Sequence, residues 1–249
     1  MYCTGWNFSC TSSVHGEDGF GDVKDIKNPD MVLMKSEHAA NALVKLTNEN
    51  NGNVSLAAIG PLTNVALACR LDPNFSSRLK HVVIMGGNIE VQGNAGISAE
   101  FNFYQDPEAA HIVLNDLTCQ ISMVTLEVCR KHAHDWGFYD KIINLGTRKA
   151  DFLKKISRQY SNANLKRANY VKVGCKYRTY DDFAMAVAVT PDVVLKKQNV
   201  YATVELQGLL TRGQMIVDWQ NCLKKRHNVT LIHKIDVEKL KQLIIFCLM

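Results

Sequence analysis

The sequence predicts an α/β fold: a mostly parallel, open twisted sheet with helices on both faces and a hairpin region near the C-terminus. Three observations carry this. Short continuous apolar runs end in glycine, as strands buried on both faces do. Segments with a helical apolar period separate those runs, and that alternation requires a parallel sheet with crossover helices. The tail from Asn199 to Ile235 instead reads as strands in hairpin order, with Gly208 and Gly213 near turns.

In chain order, "SEHAANALVKLTNEN" has a helical apolar period and leads into "NVSLAAIG", a short strand closed by Gly60. "PLTNVALACRL" is a helix with Thr63 or Asn64 as candidate caps, and "KHVVIMGG" is a second strand closed by two glycines. Asp106-Pro107-Glu108 starts a helix: Asp at the N-cap, Pro at the first helical position and an acid in the first turn. Ala109, Ala110, Ile112, Val113 and Leu114 form its apolar face, and "CQISMVTLEV" is the third strand. "DFLKKISRQYSNANL" follows as an amphipathic helix and "YDDFAMAVAVTPDVV" as a buried one that stops near Pro191. "DVEKLKQLIIFCL" is a terminal helix capped by Asp236. No linker composition interrupts the pattern, so residues 1–249 read as a single domain.

Composition bounds the function. Apolar residues make up 47% and charged residues 21%, ordinary for a folded water-soluble domain. The net charge of +5 is modest, and the clusters "RLK", "CRKH" and "CLKKRH" read as solvated faces, since no nucleic-acid module accompanies them. The eight cysteines form no CxxC pair and no zinc spacing, so a reducing, cytoplasmic setting is expected. "MYCTGWNFSC" lacks the pattern of a signal peptide, and "LIIFCLM" is too short to cross a bilayer, so no membrane partner is expected. His132 and His134 read as surface residues, for no third metal ligand lies near them in sequence.

Ligands of open α/β sheets bind outside the carboxyl ends of the strands. Three polar segments leave strands at that edge: Gly60 to Asn64, Met85 to Asn88, and the loop from Asn94 to Asn102. Asn94, Glu100 and Asn102 together suit a polyol, because a carboxylate accepts from hydroxyls while an amide both donates and accepts. Each also has a plainer reading. Asn and Glu in a long loop can simply tie down its backbone, Met85 can be core and Thr63 a helix cap.

The segments "VHGEDGFGD", "LAAIGPLTNVALACRLDP", "HVVIMGGN", "GNAGISAEFNFYQDPEAAHIVL" and "YDDFAMAVAVTP" resemble the inosine/uridine-preferring nucleoside hydrolases. The resemblance implies hydrolysis of the N-glycosidic bond of purine or pyrimidine ribonucleosides to ribose and free base, in nucleoside salvage, by a water activated on Ca²⁺. It assigns Asn94, Glu100 and Asn102 to the ribose hydroxyls and Met85 to packing beside the sugar. It assigns Asp181 and the Thr63 backbone carbonyl to calcium. Tyr180 stands where many members carry a His that protonates the leaving base, and His15 lies in the loop near the crevice mouth. The family's Asp-rich D-x-D-x-G-x-D-D segment is not found in these 249 residues, and Asp18, Asp22 and Asp25 do not match it by position. The expectation is therefore an N-terminally truncated domain. Two classes follow: an N-ribohydrolase acting on a small-molecule nucleoside, as a homodimer or homotetramer, or an inactive homologue that binds ribose or acts by association.

Overall fold

The structure, a computed structural model, describes residues 16–24, 31–158 and 174–249. In chain order its helices and strands are α1 (Ala39–Glu49), β1 (Val54–Ala58), α2 (Thr63–Leu71), α3 (Phe75–Arg78), β2 (Leu79–Met85), α4 (Phe101–Gln105), α5 (Pro107–Asp116), β3 (Gln120–Val124) and α6 (Leu126–Lys131). Then come α7 (Trp136–Ile143), α8 (Arg148–Ile156), α9 (Asp181–Val189), β4 (Val194–Val200), β5 (Ala202–Val204), β6 (Met215–Val217), β7 (Val229–Ile235) and α10 (Val237–Leu248).

One compact unit comprises Lys35–His132 and Thr179–Leu240. Its main sheet has the order β1-β2-β3-β7-β4 among the described residues. β1, β2, β3 and β7 are parallel, and β4 closes the edge antiparallel to β7. The apolar strand runs dictate this. Val82, Ile84, Ile121, Met123 and Leu231 join one core with Ala66, Ala68, Ala110, Val113 and Leu114 of α2 and α5. Val83 and Met85 alternate with them along β2 and are equally buried, so the sheet is covered on both faces. α9, with Phe183, Ala184 and Val187 buried, lies against β1 and β2.

The Asp106 helix start is as the sequence expects: its carboxylate accepts from the N–H of Ala109 at 3.0 Å, with Pro107 at the first position. Asp236 likewise accepts from Lys239 N–H at the head of α10. Three details differ. Thr63 is the first residue of α2 rather than its cap, and no side chain caps that helix; the Thr63 hydroxyl donates to Asp106 at 2.5 Å instead. The third strand stops at Val124, because Leu126 N–H turns to the Gly87 carbonyl and α6 begins there. In the tail only β5 and β6 form a separate hairpin sheet, whereas β7 returns to the main sheet between β3 and β4. The first four residues of β7 are all buried, the mark of a central strand rather than of a hairpin with one wet face.

The second unit takes in Met1–Met34, Ala133–Arg178 and Lys241–Met249. Trp136, Phe138, Tyr139, Ile142, Ile143 and Tyr177 form its core, with Leu153, Ile244, Ile245 and Leu248 packed on it. Asp135 and Thr147 cap α7 and α8. His134 is not a surface residue: it is 1% exposed, its backbone bridges Tyr177, and its ring lies 4.7 Å from that of Phe138. An imidazole ring packs into an aromatic cluster as other small rings do, which sequence spacing alone does not reveal. No helix among the described residues is long and apolar enough to cross a membrane.

Candidate functional site

Beyond Met85 the ladder between β2 and β3 continues for one step, through Gly86 N–H to the Val124 carbonyl and Leu126 N–H to that of Gly87. The chain then leaves the carboxyl edge of the sheet. Gly87 has φ of 68°, a conformation that favours glycine, and redirects the chain into the segment ahead of Asn94. A tight turn follows, closed by the Asn94 and Ala95 N–H groups on the Ala99 carbonyl, each at 3.0 Å. Gly93 is obligatory there, since a Cβ at that position would lie 2.0 Å from the Ala99 oxygen. The turn delivers Glu100 to the head of α4.

Glu100 is 2% exposed. One carboxylate oxygen accepts from Asn102 N–H at 3.0 Å; the other accepts from Gly87 N–H at 3.0 Å and Phe103 N–H at 3.2 Å. Burial pushes its pKa up from 4.5 to about 7, against the three N–H donors, and the charge of Asp181 adds to the rise. Asn102 is buried too, and its amide nitrogen donates to the Met85 carbonyl at 3.0 Å. Asn94 is exposed and its amide oxygen accepts from Phe101 N–H at 2.8 Å.

Each of these side chains thus fixes one end on the main chain and keeps the other. Asn94 retains its amide NH₂, Asn102 its amide oxygen, and the Glu100 oxygen bonded only to Asn102 N–H retains one acceptor direction. One donor and two acceptors from three residues, immobilised before any ligand arrives, are what recognition of neighbouring hydroxyls needs. The plainer reading, that these residues hold the loop, is therefore true of half of each side chain.

Asp181 begins α9 with an exposed side chain. Tyr180 precedes it, half-buried, and its carbonyl accepts from Phe183 N–H and faces the Cys129 sulfur at 3.9 Å. The Cys129 thiol is pushed well above its ordinary range by burial, with Asp182, Asp181 and Glu100 contributing in that order. Those couplings place three carboxylates in electrostatic reach of one buried sulfur. Hydrogen bonds join Met85, Asn102 and Glu100 beyond the end of β2, and Asp181 stands at the head of α9, which packs against β2. Thr63 donates a hydrogen bond from its hydroxyl to Asp106, at the junction of α4 and α5. His15 and Asp25 lie outside the described residues. Asp18 and Asp22 belong to the second unit, where their carboxylates accept from the N–H groups of Glu17, Asp18, Phe20 and Asp22.

The calcium implied by resemblance can be tested against these donors. Ca²⁺ takes about six to eight oxygens. Asp181 offers one exposed carboxylate, Glu100 is engaged by three N–H groups, and Thr63 sits in a first helical turn where its carbonyl points along the axis. No group of three or more His, Cys, Asp or Glu side chains among the described residues is arranged to hold a metal. The described residues do not make up that coordination sphere.

Sequence reasoning missed Cys129, Asp182, Glu127 and Arg130 as parts of this region. Cys129 is affected by the charges of Asp182, Asp181 and Glu100, and Glu127 and Arg130 grip the segment from Ile89 to Gly93.

Comparison with known proteins bears on the whole chain. The sequence profile described as "Inosine-uridine preferring nucleoside hydrolase" matches residues 6–242. The inosine-uridine preferring nucleoside hydrolase of Leishmania major is 32% identical over 94% of this chain and 72% of its own length. That of Crithidia fasciculata is 32% identical over 91% of this chain and 70% of its own. Among solved structures, an inosine-guanosine nucleoside hydrolase superposes with a TM-score of 0.80 at 34% identity, covering 94% of this chain and 74% of that one. A profile match over nearly the whole chain, on the same parallel sheet, leaves one assignment: the chain belongs to the inosine-uridine preferring nucleoside hydrolase family.

Proposed function

We propose that this chain is a nucleoside N-ribohydrolase, cleaving the bond between ribose and a purine or pyrimidine base with water, in cytoplasmic nucleoside salvage. The observation that carries the reading is the family match over residues 6–242. The half-committed polar groups of the Asn94–Asn102 loop support it. The Asn94 NH₂ donates to one ribose hydroxyl, while the Asn102 amide oxygen and the free acceptor of Glu100 take hydroxyl protons. As the glycosidic bond breaks, positive charge develops at the anomeric carbon. Carboxylates held nearby, Glu100 and Asp181, stabilise that charge without reorganising. Water supplies the hydroxyl to the anomeric carbon and its other proton ends on the base nitrogen. Tyr180 occupies the position from which the family resemblance draws the leaving-group acid, and a phenol also stacks on a nucleobase. By resemblance, a bound Ca²⁺ would supply activation of the water, with Asp181 and the Thr63 carbonyl among its ligands, and the chain would assemble as a homodimer or homotetramer. The described residues alone do not form a calcium shell.

The test is release of ribose from inosine and from uridine by the full chain, read as reducing sugar, with added Ca²⁺ and with chelator. Equimolar ribose and base from the wild type, with a loss of about a hundredfold or more in Glu100→Ala, is the expected result. No ribose above the buffer rate under either condition would refute it.

A further inference from the structure

We infer that α6 is a clamp that sets the position of the ribose-facing loop, with Glu127 and Arg130 as its positioning residues; this rests on the reading of that loop given above. The two residues are three apart and so lie on one face of the helix. They grip the segment between β2 and Asn94 by opposite polarities. A Glu127 oxygen accepts from the N–H of Ile89 at 3.1 Å and of Glu90 at 3.0 Å. The Arg130 guanidinium donates to the carbonyls of Gln92 at 2.8 Å and Gly93 at 3.0 Å. Four backbone groups of an irregular segment thus find their partners on one short helix, which fixes that segment as firmly as a strand would.

The grip reaches the loop by two routes. Gly93 precedes Asn94 directly and packs so closely on Ala99 that a Cβ at Gly93 would lie 2.0 Å from the Ala99 oxygen. Asn88, fully buried, donates from its amide to the carbonyls of Glu90 and Ser98. Ser98 stands two residues before Glu100. Fixing Ile89 to Gly93 therefore fixes Asn94 from one side and Glu100 from the other.

Stability alone does not favour this arrangement. Glu127 is 3% exposed, and its second carboxylate oxygen has no hydrogen-bond partner among the described residues. The Asn88 amide oxygen and the Thr125 hydroxyl, both buried, are likewise without partners among the described residues. A buried carboxylate with one oxygen unsatisfied is costly, and an apolar side chain there would pack at lower cost while releasing the segment.

The experiment compares wild-type full chain with Glu127→Ala, Glu127→Gln, Arg130→Met and Arg130→Lys. The first readout is kcat/KM for inosine divided by that for 3′-deoxyinosine, which lacks one ribose hydroxyl. Glu127→Ala and Arg130→Met are expected to reduce this ratio by about tenfold or more, because misplaced groups no longer discriminate the hydroxyl. Glu127→Gln, whose amide oxygen still accepts both N–H groups, restores most of it, and Arg130→Lys falls between. A purely structural role lowers both substrates alike, and an unchanged ratio overturns the inference. The second readout is amide hydrogen exchange across residues 94–102, which Arg130→Met should quicken by about tenfold while β2 and β3 keep wild-type protection. Wild-type exchange in that loop also overturns the clamp. If the wild type releases no ribose, the functional reading fails by itself and exchange alone decides the clamp.

Discussion

Glu100 makes the stability of this protein depend on pH in an unusual direction. Its carboxyl is lifted from 4.5 to about 7, because desolvation outweighs the N–H groups of Asn102, Gly87 and Phe103. Between those two values the native protein holds a proton that the unfolded chain has released. Stability therefore falls as pH rises through this window, is highest below 4.5, and levels off above about 7. Inserting both values in the linkage relation gives a contribution about 2–3 kcal/mol smaller at pH 8 than at pH 5. Urea unfolding, followed by tryptophan fluorescence in chelator, measures it at both pH values for wild type and Glu100→Gln. The glutamine turns an NH₂ toward backbone donors, so the variant is less stable at both. The decisive quantity is the change with pH of the difference between the proteins, from which other titrating groups cancel. The wild type should lose about 2–3 kcal/mol relative to the variant on going from pH 5 to pH 8. A flat difference would refute the claim that this carboxyl is held in a low-dielectric site.

Two further predictions concern its surroundings. Asp106→Ala removes the N-cap of α5 and the acceptor for Thr63, so it should cost about 1–2 kcal/mol in urea unfolding, with Thr63→Val costing about half as much. Cys129, buried among acids that raise its pKa, should resist an aromatic disulfide reagent at pH 8 in native protein while exposed Cys222 and Cys247 react; urea should release it, and rapid native labelling would contradict the burial.

What the sequence discloses and what it hides differ by the range of the interactions. The Asp106-Pro107-Glu108 helix start and the glycine-closed strands are legible because caps, proline and apolar runs act within a few residues. β7 is not, because whether an apolar strand joins a hairpin or re-enters a parallel sheet depends on partners far along the chain. Thr63 looks like a cap by spacing, yet its hydroxyl goes to Asp106, 43 residues on. "CRKH" reads as a solvated basic run, but Arg130 binds the Gln92 and Gly93 carbonyls. A cation whose partners are main-chain oxygens leaves no complementary acid in the sequence to betray it.

The same asymmetry explains the candidate site. A loop side chain that only bound ligand would be free to rotate, and its ordering would subtract from affinity. One that only tied the loop would have nothing left for a ligand. Asn94 and Asn102 avoid both limits because an amide has two chemically distinct ends, and Glu100 does so because a carboxylate has more acceptor directions than its three N–H partners fill. This accounts for two amides and an acid in that loop, where hydroxyl or aliphatic residues would pack as well. It also locates the weakness of the design. Fixing the main-chain ends is useful only while the backbone they hold stays still, and that backbone is restrained from outside the loop by Glu127 and Arg130. In the proposed reading, ligand geometry is thus decided on α6, a helix that contributes no residue to the ribose-facing set.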